Sequence, residues 1–336
     1  MNYLKSKTYC SHIEKALRHT LDIESLFGKS VLILGASGLI GSFLTDCLIY
    51  VNETRGAEIS LYVVSRKIER LEKRFGEEKR PYLHFIEGDV CNLKTDQVFD
   101  IIIQGAGYGH PKAFREIPVE VLLANVIGTQ RVMEIAKRNA DCRVLYLSSG
   151  EVQEQVDHLS FRACYPIGKM AAETLCISYL EEYGVDVVIA RPGHTFGANV
   201  TSEDNRATAQ FLLAAAKGKT IEMYSEGSQK RTFTYVADCV SGLLTILTKG
   251  EKGAVYGVSA GESCTVRQFA QQCGISGNCK VEQYEPTKTE NKEASPIENQ
   301  IVDNGALKAL GWNPSFSIKN GIRETIEIMS EMGGVY

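Results

Sequence analysis

Three polar side chains near the middle of this sequence could together remove a proton from an alcohol. Tyr165 and Lys169 are four residues apart, so on a helix they share one face. A free phenol has a pKa near ~10, and a nearby ammonium stabilises its phenolate, so Tyr165 can act as a general base. Ser149 can hydrogen-bond the same substrate oxygen. These residues predict oxidation of a hydroxyl group wherever a hydride acceptor is bound beside them.

A glycine-rich turn at 35–41 predicts where that acceptor binds. Its glycines follow the spacing G-x-x-G-x-x-G directly after an apolar run and before an apolar helical pattern. Without Cβ atoms the chain can turn tightly, and its backbone can approach a pyrophosphate at the N-terminus of the next helix. The position between strand and helix favours dinucleotide binding over a set of glycines that only pack helices.

The second predicted strand ends at Ser65 and Arg66, where the choice between NAD and NADP is made. A carboxylate here would bind the adenosine ribose and favour NAD, whereas an arginine can face a 2′-phosphate and favour NADP. Ser65 lacks the carboxylate, and Arg66 is either a phosphate contact or a solvated cation. Asp89 follows the third strand and either holds the adenine edge or is an ordinary turn residue. NAD is expected, with NADP possible.

Alternating apolar runs and helical patterns predict the architecture that positions these residues. Strands are expected at 30–34, 59–64, 82–87, 100–104, 143–147 and 185–190, with helices at 39–51, 119–139 and 168–183. Such alternation is typical of an α/β, Rossmann-type, doubly wound parallel sheet. The expected organisation is a helical extension at 1–28, a dinucleotide-binding domain at 29–190 and a smaller substrate-binding α/β region at 191–336, with irregular structure at 285–300.

Composition limits the possible partners and compartments. The chain has 336 residues, of which 44% are hydrophobic, and its net charge of -4 offers no bulk attraction to nucleic acid or an anionic membrane. No apolar run approaches the roughly 20 residues that span a bilayer, and the N-terminus lacks a signal-peptide pattern. Ten cysteines without CxxC pairs predict reduced, buried thiols in a cytoplasmic protein, without disulfides or a metal site.

Taken together, the motifs resemble those of an extended short-chain dehydrogenase/reductase of the nucleotide-sugar epimerase/dehydratase family, over residues 29–330. The matching segments are 35–41, 88–90, the loop after 104, 125–129, 148–149, Tyr165 with Lys169, 191–197, 231–238 and 310–314. Within the family, the stretches 204–206 and 227–231 are most similar to the decarboxylases of UDP-glucuronate.

The resemblance implies a reaction on a nucleotide-diphosphate sugar. Tyr165 would take the proton of the sugar C4 hydroxyl while hydride passes to the nicotinamide, with Ser149 steadying the oxygen and Lys169 holding ribose and phenolate. A carboxylate at C5 could then leave as carbon dioxide, a C6 hydroxyl could leave as water, or the sugar could turn and be reduced on its other face. The resemblance also implies a homodimer formed through helices 118–139 and 165–183.

The resemblance and the pattern together assign residues to two ligands. The expected dinucleotide contacts are Gly35, Ser37, Gly38, Leu39, Ile40, Ser65, Arg66, Asp89, Val90, Gln104, Gly105, Ala106, Gly107, Asn125, Tyr165, Lys169, Arg191 and Pro192. The expected substrate contacts are Tyr108, Ser149, His194, Arg206 and Arg231. A guanidinium can hold phosphate or carboxylate bidentately, although an exposed arginine can also be merely solvated. His194, where the family usually has asparagine, is either a substrate contact or a structural residue.

The residues after Ser149 help to distinguish loss of carbon dioxide, loss of water and epimerisation. Dehydratases of the family have Thr-Asp-Glu here, and the aspartate protonates the leaving hydroxyl. This chain has Ser149-Gly150-Glu151, and Gly150 cannot be an acid, so loss of water is disfavoured. Glu151 is retained, as in the decarboxylases, and is a candidate catalytic residue or a loop carboxylate. The family's Val-Tyr-Gly is replaced by 152–154, Val-Gln-Glu.

Decarboxylation of a UDP-uronate is therefore the favoured function. A 4-epimerase, a 4,6-dehydratase and a 4-keto reductase are alternative enzymes. A dinucleotide-sensing binding protein without catalysis is the alternative from another class, and the intact Ser149, Tyr165 and Lys169 argue against it.

Overall fold

The computed structural model describes residues 2–200, 204–285 and 297–333. Its strands are β1 (Ser30–Leu34), β2 (Ser60–Ser65), β3 (Leu83–Glu87), β4 (Ile101–Gln104), β5 (Arg143–Leu147), β6 (Asp186–Pro192), β7 (His194–Phe196), β8 (Ile221–Met223), β9 (Lys230–Tyr235), β10 (Val255–Val258), β11 (Ser263–Thr265), β12 (Val281–Gln283) and β13 (Asn299–Gln300).

The helices alternate with these strands in the first two thirds of the chain. They are α1 (Lys7–Arg18), α2 (Leu39–Arg55), α3 (Ile68–Phe75), α4 (Pro111–Glu116), α5 (Pro118–Ala136), α6 (Cys164–Tyr183), α7 (Ala207–Ala216), α8 (Val236–Lys249), α9 (Val266–Ser276), α10 (Gly305–Ala309) and α11 (Ile318–Glu331). Single 3₁₀ turns lie at Tyr3–Lys5, Ile23–Leu26, Gly150–Gln153 and Phe161–Ala163.

A seven-stranded sheet in the order β10-β6-β5-β4-β1-β2-β3 is parallel throughout. The chain winds outward from β1 to β3 and then returns to β4 on the other side of β1. The connections therefore diverge at the carboxyl ends of β1 and β4, which opens a crevice there, as in other doubly wound sheets. The central strands β1, β4, β5 and β6 are buried on both faces because helices cover both, and the predicted α/β Rossmann-type fold is confirmed.

Element boundaries differ from the prediction in ways that matter for the site. Helix α6 begins at Cys164, four residues before the predicted start, so Tyr165 lies in its first turn. Strand β6 continues through Arg191 and Pro192 because β10 pairs with it there. That seventh strand comes from beyond residue 190, the position at which the sequence places the domain boundary.

The remaining strands form two small sheets over the carboxyl edge of the large one. In one of them, β9 pairs with β7, β11 and β13. Strand β13 falls within 285–300, a stretch predicted to be irregular, and residues 286–296 of that stretch lie outside the described residues. Asn299–Gln300 is extended because its backbone pairs with Lys230 and Arg231 of β9.

The N-terminal segment packs on the same core. Helix α1, which lies within the helical extension predicted at 1–28, buries Ile13, Ala16 and Leu17 at helical spacing, and Tyr9 lies beside them. Within the described residues no helix is long and apolar enough to cross a membrane. All ten cysteines are free thiols.

Candidate active site

The glycine turn has a shape that side chains would destroy. Gly35 has φ +84°, and a Cβ there would lie 2.6 Å from the carbonyl oxygen of Gly105. A Cβ on Gly41 would lie 2.2 Å from the oxygen of Gly35. The turn then caps α2 at Gly38, with Ser37, Leu39 and Ile40 half-buried around it. These features form a cradle at a helix N-terminus, where backbone N–H groups favour a pyrophosphate.

The loop after β4 lies against this turn. The Gly105 amide donates to the Leu34 carbonyl at 3.0 Å. Gln104 is buried, and its Oε1 accepts the Ala106 amide at 3.2 Å. Gly107, the next glycine, is exposed at the mouth of the crevice. The predicted dinucleotide contacts from β1 and β4 therefore lie side by side.

Arg66 and Tyr108 face each other across the crevice. The Arg66 guanidinium hydrogen-bonds the Tyr108 hydroxyl and lies 4.7 Å from the centre of its ring. The same hydroxyl donates to Glu120 at 3.1 Å. Tyr108, expected at the substrate, is thus placed with Arg66 and Ser65, which were expected at the dinucleotide.

Asp89 and Val90 are held by contacts within the chain. Asp89 Oδ1 accepts the Cys91 amide at 2.8 Å, which forms a tight turn after β3. Val90 is buried against α5, where a Cβ on Gly128 would lie 2.8 Å from the valine Cγ1. The Val90 side chain therefore packs beneath the crevice, so only its backbone is available to a ligand.

Tyr165 is stacked face to face on Phe114, with ring centres 4.8 Å apart. Its hydroxyl hydrogen-bonds Ser149, which lies just after β5. Burial, followed by the charge of Glu151, raises the pKa of Tyr165 to about 12, while Ser149 and two arginines act in the opposite direction. The phenol is therefore protonated at neutral pH, and the cations that favour its phenolate are Arg206 and Arg162.

Lys169 lies one turn further along α6. Its Nζ donates to the carbonyl of Leu147 at 2.6 Å and lies 4.9 Å from the Tyr146 ring centre. Burial lowers the pKa of Lys169 to about 8. The lysine thus fixes α6 to the end of β5. Next to it, Asn125 donates to the Val121 carbonyl at 2.8 Å, and its buried Oδ1 has no partner in the described part of the chain.

Glu151 lies on the other side of Ser149 in a cationic environment. Its carboxylate is 3.6 Å from the Arg162 guanidinium. Burial raises the pKa of Glu151, and the charges of Arg162 and Arg231 lower it. A carboxyl group with a raised pKa can exchange a proton more readily near neutral pH than an ordinary glutamate can.

His194 faces three arginines. Burial and then Arg231, Arg206 and Arg162 lower its pKa to about 3, so the imidazole is neutral at any physiological pH. A neutral imidazole has one donor and one acceptor nitrogen. His194 can therefore hydrogen-bond a ligand without adding positive charge.

Two of these arginines are held by oxygen atoms of the chain. Arg206 forms a bidentate pair with Asp204, with nitrogen–oxygen distances of 2.9 and 2.5 Å. Arg231 is 3% exposed and donates to the carbonyls of Lys230 and Glu298 at 2.9 and 3.0 Å. Arg231 therefore holds residues 297–298 beside β9. Its charge lowers the pKa of both His194 and Glu151.

Gly150 is a glycine because another segment occupies its side-chain space. An added Cβ would lie 2.5 Å from Val302 Cγ2, 3.5 Å from the Pro192 carbonyl and 3.7 Å from Gln300 Nε2. The chain just after β13 thus forms the wall behind Ser149 and Glu151. An acidic side chain at position 150 would therefore clash with Val302.

Arg191, predicted to contact the dinucleotide, forms an ion pair with a carboxylate of the chain. Its guanidinium is bidentate to Glu173 of α6, at 2.9 and 2.6 Å. Pro192 ends β6 beside Gly150. The pair of Arg191 and Glu173 positions α6 against β6 on the flank of the crevice.

Four residues that act on the site were not predicted from the sequence. They are Phe114, Arg162, Asp204 and Val302. Arg162 precedes Tyr165 by one helical turn, which is a usable signal, whereas Val302 reaches the site only through the fold. No cluster of metal-ligating side chains occurs within the described residues.

A dinucleotide cradle beside a tyrosine, a lysine and a serine is typical of one class of protein: Rossmann-fold proteins of the short-chain dehydrogenase/reductase type. The sequence profile of the NAD dependent epimerase/dehydratase family matches residues 31–259, and the chain belongs to that family. NAD is accordingly the cofactor, and the glycine cradle fits it.

The curated relatives with similar sequences include decarboxylases of UDP-glucuronic acid. The chain is 28% identical to UDP-glucuronic acid decarboxylase 1 of Danio rerio over 320 residues, which cover 90% of this chain and 73% of the relative. It is 27% identical to UDP-glucuronic acid decarboxylase 3 of Arabidopsis thaliana, over 87% of this chain and 86% of the relative. The predicted resemblance to this family and to its decarboxylases is confirmed.

Solved structures confirm the fold. An epimerase, Mth375 of Methanothermobacter thermautotrophicus, superposes with a TM-score of 0.79 at 20% identity, covering 93% of this chain and 95% of that one. UDP-glucuronic acid 4-epimerase of Bacillus cereus, in complex with UDP-glucuronic acid and NAD, gives a TM-score of 0.74 at 18% identity, covering 90% and 99%. Together with the family and the curated relatives, this makes the chain an NAD-dependent enzyme that modifies nucleotide sugars.

Proposed function

We propose that this enzyme decarboxylates a UDP-linked uronic acid after transient oxidation at the sugar C4. The observation that carries the proposal is the turn Ser149-Gly150-Glu151, where a hydroxyl and a carboxyl group flank a position that has no room for an acid. The similarity to UDP-glucuronic acid decarboxylases supports the same reaction.

Tyr165 is the proposed base for the C4 hydroxyl. It lies in hydrogen-bonding contact with Ser149, so both can bind the same substrate oxygen. Bound NAD supplies the hydride acceptor. Because the pKa of Tyr165 is raised in this state, proton removal depends on the cations Arg206 and Arg162, which favour the phenolate.

Loss of carbon dioxide requires an acceptor for the electron pair of the bond that breaks. Once C4 carries a ketone, the electron pair of the breaking C5–C6 bond moves onto the C4 oxygen. Ser149 and Tyr165 can stabilise that oxygen by hydrogen bonds, since the two side chains are already in hydrogen-bonding contact with each other. Glu151, with its raised pKa, can then give a proton to C5 in place of the lost carboxylate. The C4 ketone would finally take back the hydride from the reduced cofactor and a proton from Tyr165, so that carbon dioxide alone is lost.

The charge of the pocket suits an anionic substrate. Arg162, Arg206 and Arg231 all act on His194, whose neutral imidazole adds nothing to their charge. A diphosphate and a sugar carboxylate are both anions that guanidinium groups bind well. These contacts are proposed from charge and proximity, and Arg206 would exchange its Asp204 partner for the ligand.

The test uses three substrates and mass spectrometry. The purified enzyme is incubated with UDP-glucuronate, UDP-glucose and dTDP-glucose. A product lighter by carbon dioxide, from UDP-glucuronate alone, is expected. A product lighter by water would instead identify a dehydratase, and an isomer of unchanged mass, resolved by NMR, would identify a 4-epimerase. If no UDP-uronate loses carbon dioxide, the proposed reaction is wrong.

A homodimer through α5 and α6 is also proposed. These helices expose Val119, Leu123, Ile127, Ile167 and Met170, an unusual number of apolar side chains for neighbouring surface helices. Light scattering should give twice the chain mass, and Leu123→Asp should give the monomer. Free thiols throughout the chain agree with a reducing, cytoplasmic location, which is proposed on that ground alone.

A further inference from the structure

Tyr9, in the segment that precedes the matched family region, is the centre of a buried hydrogen-bond network. Its hydroxyl donates to Asp46 Oδ2 at 2.6 Å and accepts from Asn199 Nδ2 at 2.8 Å. Burial raises its pKa well above the ordinary value, so the hydroxyl keeps its proton and can donate. Asp46 is fully buried and is also paired with Arg74 of α3. One hydroxyl therefore joins α1, the cofactor helix α2 and residue 199.

Asn199 binds the cofactor helix directly as well. Its Nδ2 donates to Ser42 Oγ at 3.0 Å, and the Ser42 amide donates to Gly38, the cap of α2. Its buried Oδ1 has no partner in the described part of the chain. The two bonds through Nδ2 are therefore the side-chain hydrogen bonds that hold Asn199, and Tyr9 accepts one of them.

A second tyrosine of the same segment reaches the adjacent residue. The Tyr3 hydroxyl donates to the Ala198 carbonyl at 3.0 Å. Residues 197–199 follow β7, which carries His194, and precede Arg206 in the chain. The N-terminal segment thus holds residues 198–199 by hydrogen bonds, and these residues lie between His194 and Arg206, two predicted substrate contacts.

We propose that Tyr9 is a positioning residue for the substrate side of the active site, which rests on the proposed function of that site. Tyr9 fixes residues 198–199 against α2, and so sets where His194 and Arg206 stand relative to the cofactor cradle. The N-terminal segment is then part of the functional unit. Without the hydroxyl, Asn199 loses an acceptor and residues 197–199 gain freedom to shift.

The test compares Tyr9→Phe with a matched control, Tyr256→Phe. Tyr256 is also buried and also uses its hydroxyl once, to accept the Glu251 amide at 2.8 Å, but it lies on β10 at the far edge of the sheet. Tyr9→Phe should raise KM for UDP-glucuronate roughly five- to tenfold, the size expected for one buried hydrogen bond, with kcat and NAD content unchanged. Tyr256→Phe should leave KM as in the wild type.

Hydrogen exchange gives a readout that does not depend on turnover. Amides of a peptide covering 194–200 should exchange faster in Tyr9→Phe than in wild type or Tyr256→Phe, with α6 unchanged. Asn199→Ala should reproduce the effect. Equal KM and equal exchange at 194–200 in both tyrosine variants would overturn the positioning role, as would a loss of kcat and NAD content with KM unchanged. If wild type turns over no UDP-uronate, the proposed reaction fails, and the exchange rates alone decide the role of Tyr9.

Discussion

Substituting Gly150 tests the packing that excludes an acid from the site. A Cβ at Gly150 would lie 2.5 Å from Val302 Cγ2, well inside van der Waals contact. Val302 is buried and β-branched, so it cannot rotate away freely. Overpacking of this kind costs about 1–3 kcal/mol, and the loss of glycine entropy in the unfolded chain returns about 0.5–1 kcal/mol. Because 2.5 Å is far inside contact, the upper half of that overpacking cost applies, about 2–3 kcal/mol, and we expect Gly150→Ala to lose about 1–2.5 kcal/mol of unfolding free energy.

A double-mutant cycle in urea isolates the contact. Val302→Ala alone should cost about 1–3 kcal/mol, because it leaves a cavity. In the double variant the new methyl group fills that space, so the pair should be more stable than the sum of the single effects by about 1–2 kcal/mol. Gly109→Ala is the matched control, since a Cβ there meets nothing within 4 Å. Additivity within about 0.5 kcal/mol, or a Gly150→Ala variant as stable as wild type, would refute the reasoning.

Three further predictions concern the reacting groups. Tyr165→Phe should lower kcat by about 10²–10⁴-fold, the contribution of a general base, with the circular dichroism unchanged; retained turnover would exclude Tyr165 as the base. Glu151→Gln should lower kcat by at least about 10²-fold while NAD content stays constant, and a normal rate would leave Glu151 as a loop carboxylate. The pKa of Lys169 is about 8 in the folded protein, against 10.5 for an ordinary lysine, so the unfolded chain binds more protons between these pH values. Unfolding free energy should therefore rise from pH 8 to 10.5 by up to about 3 kcal/mol relative to Lys169→Met, and parallel pH curves for the two proteins would contradict the shift.

Local patterns in the sequence were sufficient for the fold and for the position of the glycine turn within it. Short apolar runs bounded by glycine predicted six strands of the large sheet, because buried parallel strands have apolar residues on both faces. The glycine spacing predicted the turn at Gly35 because positive φ and close backbone approach both require glycine. The spacing of Tyr165 and Lys169 allowed a shared helix face, and both lie on α6 because that helix begins at Cys164, before its predicted start at 168.

Tertiary structure decided which charges surround the reacting groups. The sequence places Lys169 beside Tyr165, but the ammonium is tied to the Leu147 carbonyl, and the cations that act on the phenol are Arg162 and Arg206. Electrostatic effects depend on distance and burial in space, which residue spacing along the chain does not report.

The sequence by itself thus determined the family, the strand-and-helix order and the glycine turn that fits NAD, since these depend on residue type within short segments. Only the tertiary structure decided why residue 150 is glycine and what holds residue 199, because Val302 and Tyr9 are distant in sequence. Contacts of that kind arise from packing whole elements together, and no local period or spacing encodes them.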